Sequence, residues 1–306
     1  MYKRQDILRL ISETGPKPLP HPPKSIDYVD HVVNTALNGY PELAADSLLN
    51  PLLVGNIKNV IRRIVRQLNF LFERDYWIKT TLDEEAILKK AYSYSLLLEI
   101  AINFYGMERE WVGFTDKEVN DCINIIKNVL NKWEENEQKK YGESRIAKAV
   151  VLYKINDMKK VMAGDPQRIG MICWMGENIE KKIDEKCITN SFLDAIEQEI
   201  KSNIYYIMSK EGICRFGNDY AIGLRWLRHL GYVQVSTNPQ LAAIAYRDDP
   251  SLWDKLKQYL RDHPELLENI EEKKDELAMT ATMLALWPNM EVFRPCLLYT
   301  SPSPRD

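Results

Sequence analysis

The sequence predicts an all-helical N-terminal domain followed by the first part of a parallel α/β barrel. Three observations carry that expectation. Apolar residues recur at helical spacing from about residue 25 to residue 211. From residue 212 the pattern changes to short β-branched runs alternating with helices. Within that stretch, "YVQVSTNP" (residues 232–239) is an apolar run that ends abruptly in a polar turn and a proline. A parallel barrel presents its functional loops in this way, at the C-terminal ends of its strands.

Residues 1–24 are expected to be a proline-rich surface arm, because "GPKPLPHPPK" (15–24) favours stiff, polyproline-like backbone. Residues 25–211 read as a helical domain. Thr81 with Glu84, and Thr115 with Glu118, have capping-box spacing, and Gly106 suits the end of the helix that Thr81 opens. Val119, Cys122, Ile123, Ile126, Val129 and Leu130 share one face of the helix after Thr115. "ESRIAKAVVLYKINDMKKVMAGDP" favours helix as a whole, although Val150, Val151 and Leu152 would suit a strand. A further helix is expected over residues 191–210, with Gly212 after it. Arg62, Arg63 and Arg66 alternate with apolar residues, as on the solvated side of an amphipathic helix, rather than as a phosphate site. Trp174 and Met175 read as core.

Residues 212–295 follow strand–helix–strand–helices–strand order, which requires parallel pairing and right-handed crossovers. "GICRF" is the first strand. "NDYAIGLRWLRHLG" is expected as an amphipathic helix capped by Asn218 or Asp219, with Ala221, Leu224, Leu227 and Leu230 inward and Gly231 closing it. "YVQVS" is the second strand. Helices are expected over 240–246, over 251–260 with Trp253, Leu256 and Leu260 inward, and through "KKDELAMTATMLALW". "MEVFR" (290–294) then reads as the next strand. The tail "CLLYTSPSPRD" matches, at all eleven positions, the translated read-through of a transposase sequencing-library adapter. Residues 296–306 are therefore expected to be an artefact, and the barrel to be cut short at Pro295.

Composition narrows the function classes. A formal charge of −3 over 306 residues gives no reason to expect nucleic acid or an anionic membrane surface as partner. No apolar run approaches the roughly 20 residues that span a bilayer, and Asp6, Arg9 and Glu13 interrupt any signal-peptide core. The five cysteines form no CxxC pair and the four histidines are dispersed, so free thiols in a reducing cytoplasm are expected, with no structural zinc.

The chemistry is expected in the loop after Val235. Ser236, Thr237 and Asn238 can all donate and accept hydrogen bonds. Pro239 restricts Asn238 to extended backbone and is tolerated in the first turn of the next helix. A side chain held in this way can orient a hydroxylated substrate. It can equally be a plain Asn-Pro helix cap.

"QVSTNPQLAAIAY" resembles the transaldolase and fructose-6-phosphate aldolase family, whose first crossover ends in T-T-N-P-[ST]-[LI]. The likeness covers residues 213–246 well, extends loosely to 295, and does not touch residues 1–211. It implies an (α/β)8 TIM barrel on which a strand lysine attacks a ketose carbonyl to form a Schiff base, without metal or organic cofactor. Sugar phosphates of carbohydrate metabolism would be the substrates, in a transferase or aldolase reaction. Asn238 matches the substrate-orienting asparagine and Thr237 the threonine before it, while Ser236 replaces the first threonine and keeps its hydroxyl. The family's D-T-x-[DE] corresponds to Phe216-Gly217-Asn218-Asp219, so Phe216 stands at the first acid and Asp219 at the second. Asp219 is the candidate catalytic acid, with helix capping as its alternative role. Lys255, Lys257, Lys273 and Lys274 all lie in charged helical stretches, where a lysine stays protonated, so the Schiff-base lysine is expected to be absent from this chain. The expectation is thus an inactive N-terminal fragment of a transaldolase-like enzyme. The alternative is a non-catalytic helical scaffold or binding protein beside a degenerate barrel.

Overall fold

The structure, a computed structural model, describes residues 3–14, 27–78, 83–162, 170–220, 222–235 and 238–300, with backbone alone at 73–78, 235 and 287–300. The proline-rich segment 15–24 and Thr81 lie outside the described residues.

Helices dominate. Arg4–Glu13 (α1) buries Ile7 and packs on Arg145–Lys160 (α8). Tyr28–Leu37 (α2), Pro41–Ser47 (α3) and Ile57–Ile78 (α4) surround Glu84–Tyr105 (α5). From Tyr94 through Tyr105 every residue of α5 is buried, so it is a central helix enclosed on all sides. Its N-cap is Asp83, whose side chain accepts from the Ala86 N–H at 2.8 Å. The short Glu108–Val112 (α6) leads to Asp116–Tyr141 (α7), which opens with the expected capping box: Thr115 Oγ1 accepts from the Glu118 N–H at 3.3 Å, and Glu118 Oε2 accepts from the Thr115 N–H at 3.0 Å. The six apolar residues named on one face of α7 are all buried. The ambiguous stretch after Glu143 is helical, as α8.

Met171–Lys181 (α9) buries Met175 but leaves Trp174 54% exposed, against the expectation that both are core. The helix expected over 191–210 is broken into Ile188–Lys201 (α10) and Ile204–Lys210 (α11). Asn203 causes the break: its side chain accepts from the Tyr205 N–H at 3.0 Å and starts the new helix. Arg62, Arg63 and Arg66 are exposed on α4.

The expected (α/β)8 barrel fragment is overturned. Most of the described residues are helical, and they hold two short strands, Phe216–Asn218 (β1) and Tyr232–Val235 (β2). These do pair in parallel, with Phe216 opposite Tyr232, Gly217 opposite Gln234 and Asn218 opposite Val235. The crossover is shorter than expected: Leu224–Leu227 (α12), a 3-10 turn through Leu230, then Gly231 at φ 95°. Leu224, Leu227 and Leu230 face inward, while Ala221 lies outside the described residues. Pro239–Asp248 (α13) and Ser251–Asp262 (α14) follow, with Leu256 buried but Trp253 48% exposed. The run "MEVFR", expected as a strand, instead continues Ile270–Thr300 (α15). Five apolar-rich residues carry too little periodicity to separate strand from helix. An existing helix gains one hydrogen bond for each residue it adds. Residues 296–300 end this helix, and 301–306 lie outside the described residues.

One hydrophobic cluster runs from Ile7 through α2–α11 to Trp226, Tyr246, Leu256 and Ala285. The strand–helix–strand unit is therefore part of the same core as the helices before it.

Candidate functional site

Parallel pairing sends both strands towards the same edge. β1 ends with Asn218, which Asp219 follows, and β2 ends with Val235. Asn218 Nδ2 donates to the Tyr220 carbonyl, and the Tyr220 hydroxyl to Asp248 on α13, so this edge is tied to the helix that Asn238 starts. Asp219 is exposed. Asn238 has extended backbone, with φ −141° and ψ 167°, and its Oδ1 accepts from the Leu241 N–H at 2.9 Å. Asn238 is thus the N-cap of α13, with Pro239 at the first helical position. The cap uses the amide oxygen and not the two Nδ2 hydrogens. Ser236 and Thr237 lie outside the described residues.

Below this edge, Phe216 is a packing residue. Its ring lies 4.8 Å from that of Tyr205 and 5.5 Å from that of Tyr232. Such edge-on and tilted aromatic pairs stabilise beyond their buried area. Phe216 therefore joins β1 to α11 and β2, which accounts for an apolar residue at the position where the family has its first acid.

The crossover carries the charges that sequence reasoning missed. Arg225, Arg228 and His229 insert into the helical body. Arg225 reaches Glu42 of α3 at 2.6 Å and Glu99 of α5 at 3.0 Å. Glu99 also pairs with Lys154 of α8, which is wholly buried. Trp226 Nε1 donates to Asp157 at 2.9 Å. Arg228 lies 2.8 Å from Asp46, and Asn103 Nδ2 donates to the same carboxylate at 2.9 Å. Glu108 lies 2.8 Å from His229 Nδ1 and 3.3 Å from Arg228 Nε. Gly106 permits this approach: a Cβ there would stand 2.2 Å from Glu108 Oε2 and 3.0 Å from the His229 Cα.

Burial raises the cost of each of these charges, and the partners decide the outcome. For Glu99, burial pushes the carboxyl up, but Lys154 and Arg225 outweigh it and hold the group well below its ordinary value. Glu108 is likewise held down, by His229 and Arg228 against burial. For Asp46, burial wins over Arg228 and Asn103, and its carboxyl is raised. Arg225, Arg228 and His229 thus fasten the crossover into the body. A sequence signal for the receiving side exists: Glu99 and Asn103 are four residues apart inside the otherwise apolar run "LLLEIAINF".

The four lysines after Asn238 sit where the sequence puts them. Lys255, Lys257 and Lys274 are exposed, and Lys273 Nζ donates to the Glu265 carbonyl at 2.6 Å. Among the described residues no group of three or more His, Cys, Asp or Glu side chains is arranged to hold a metal ion. No helix of the described residues is long and apolar enough to cross a membrane. No protein-family model, curated protein or solved structure matches the chain.

Proposed function

We propose that residues 213–246 are a ketose-orienting element of a transaldolase-like, Schiff-base-forming reaction on sugar phosphates, and that this chain carries out no aldol step of its own. One observation carries the reading. β1 and β2 pair in parallel, Asp219 follows β1, Asn238 caps α13, and the buried crossover charges join this unit to the helical body. Rigid support is what a substrate-orienting side chain requires. In this reading Asn238 donates through Nδ2 to a substrate oxygen, Ser236 and Thr237 add hydroxyls, and Asp219 assists proton transfer. The nucleophilic lysine comes from outside these residues. Free thiols such as the buried Cys122 suit a reducing cytoplasm.

A helical binding protein without catalysis is the second reading. It is favoured by Asn238 serving as a helix cap and by Phe216 packing where the family has an acid. Asn238→Ser separates the two, because serine keeps a capping oxygen and removes the amide donors. Fructose 6-phosphate titrated into isotope-labelled protein is expected to shift amides at 217–219 and 238–241 saturably, and Asn238→Ser to abolish those shifts with the fold retained. Borohydride trapping with the same sugar is expected to leave every lysine unmodified. A titration without shifts at these amides, or a covalent sugar adduct on this chain, would defeat the proposal.

A further inference from the structure

Two helices borrow the caps of their N-termini from a third. Ser144 precedes α8 and Cys187 precedes α10, and neither side chain accepts from its own helix. Two carboxylates of α7 do so instead. Glu137 accepts from the Ile146 N–H in the first turn of α8, at 2.8 Å. Glu134 accepts from the Ile188 and Thr189 N–H groups that open α10, at 2.9 and 2.8 Å, and from the Thr189 hydroxyl. Ser144 Oγ donates back to the Glu134 carbonyl at 3.4 Å. Glu134 and Glu137 are 2% and 5% exposed, so both caps are made inside the core.

Capping and burial make opposite demands on these groups. Helix N-termini favour negative charge, and an N–H donates more strongly to a carboxylate than to a neutral carboxyl. A buried negative charge without a cation is costly. Lys90 of α5 pulls on Glu137, and among the described residues no cation pulls on Glu134. The two acids stand three residues apart on one face of α7, and the charge of Glu134 adds to the cost of ionising Glu137. The neighbouring titratable groups supply no counter-charge. Burial holds Tyr94 of α5, Tyr141 of α7 and the Cys187 thiol protonated. Arg145 at the start of α8 pairs with Glu143 at 2.6 Å. Lys132 and Lys139 are exposed, where water screens them, and Lys140 stands 5.5 Å from the Tyr141 ring centre. From α4, Asn69 and Phe72 line the cleft beside Glu137, and neither titrates.

We propose that Glu134 and Glu137 form a proton-operated clamp: a proton on Glu137 keeps α7 closed on the first turns of α8 and α10, and its loss opens those two junctions while the rest of the body stays folded. Burial pushes both carboxyls up, Glu137 from an ordinary 4.5 to about 7. In the open junction Glu137 meets water and returns towards its ordinary value. Closure is therefore strongest below pH 4.5 and weakens as pH rises to about 7. No residue of the strand edge takes part, so the clamp is independent of the ketose reading.

The test is amide hydrogen exchange of the full chain, corrected for its intrinsic pH dependence, at Ile146, Ile188 and Thr189, with Leu97 in the middle of α5 as comparator. Protection at the three cap amides is expected to fall by about tenfold per pH unit between 4.5 and about 7 and then to level. It should be insensitive to sub-denaturing urea, as local openings are, whereas Leu97 responds to urea. Glu137→Gln keeps an acceptor for Ile146 and should remove the slope there. Glu134→Gln should lower the midpoint of the Glu137 carboxyl-carbon shift titration by removing its neighbour's charge, an effect that capping alone would not produce. Cap amides whose protection is flat with pH, a slope at Ile146 alone, or cap amides that follow Leu97 in urea would overturn the proposal. So would a Glu137 carboxyl that titrates at its ordinary value, and these readouts need only the parent chain. An unmoved midpoint in Glu134→Gln would overturn it as well.

Discussion

Replacing Arg228 by Met removes the cation that faces Asp46 and keeps most of the side-chain volume. Both residues are 1% exposed, and the guanidinium stands 2.8 Å from the carboxylate and 3.3 Å from Glu108. Breaking a buried pair from one side leaves an uncompensated charge and costs about 3–5 kcal/mol. For a chain of this size that lowers Tm by on the order of 10 °C. The pH dependence is diagnostic. Asp46 is already raised above its ordinary value of 3.8 by burial, against the pull of Arg228 and Asn103. Without Arg228 its native pKa is higher still. The stabilising balance is then present below the unfolded value and lost as pH rises through the native one. Arg228→Met should therefore be most destabilising at neutral pH and least so in mild acid. Urea unfolding across the pH range measures this, and Asp46→Asn in the same chain should recover much of the loss in a double-mutant cycle. Hydrogen exchange at Tyr232–Val235 should rise in the single variant, because the crossover loses its anchor. A cost below about 1 kcal/mol, or a double variant no more stable than Arg228→Met, would refute the idea that this pair holds the crossover in place.

Two further substitutions probe other points. Burial pushes the Glu137 carboxyl from an ordinary 4.5 up to about 7, against the Ile146 N–H it accepts from and nearby Lys90. Its contribution to stability is present below pH 4.5 and lost as pH rises to about 7, a change of about 3 kcal/mol. Glu137→Gln, which can still accept from Ile146, should flatten that part of the urea-derived stability profile, and an unchanged profile would contradict the assignment. Gly106→Ala places a Cβ 3.0 Å from the His229 backbone. It should cost about 2 kcal/mol through overpacking, and an unchanged urea midpoint would show that this contact yields freely.

Local features were legible in the chain. The Thr115–Glu118 box, the buried face of α7 and the α13 start at Asn238-Pro239 all rest on hydrogen bonds or contacts within a few residues. That two short strands pair in parallel was legible too, but the first strand's place was not: "GICRF" (212–216) was expected as strand, and β1 is Phe216–Asn218. The failures have a common cause. Trp174 and Trp253 are apolar by type, but what lies opposite each helix decides whether they are covered. "MEVFR" fits either period, and the helix before it carried through. The charged crossover was hidden because its helix reads as amphipathic, with Arg225, Arg228 and His229 on what looks like the wet side.

The sequence by itself determined the helical character of the body, the cap that starts α13, and the helical placement of the four lysines after Asn238. Tertiary structure alone decided that no barrel forms among the described residues and that the crossover is buried. It also decided which carboxylates meet which cations. Arg228 and Asp46 are 182 residues apart and Arg225 and Glu42 are 183 apart. Capping and periodicity act over one or two helical turns. A buried ion pair exists only when distant segments, each carrying half of it, are brought out of water together.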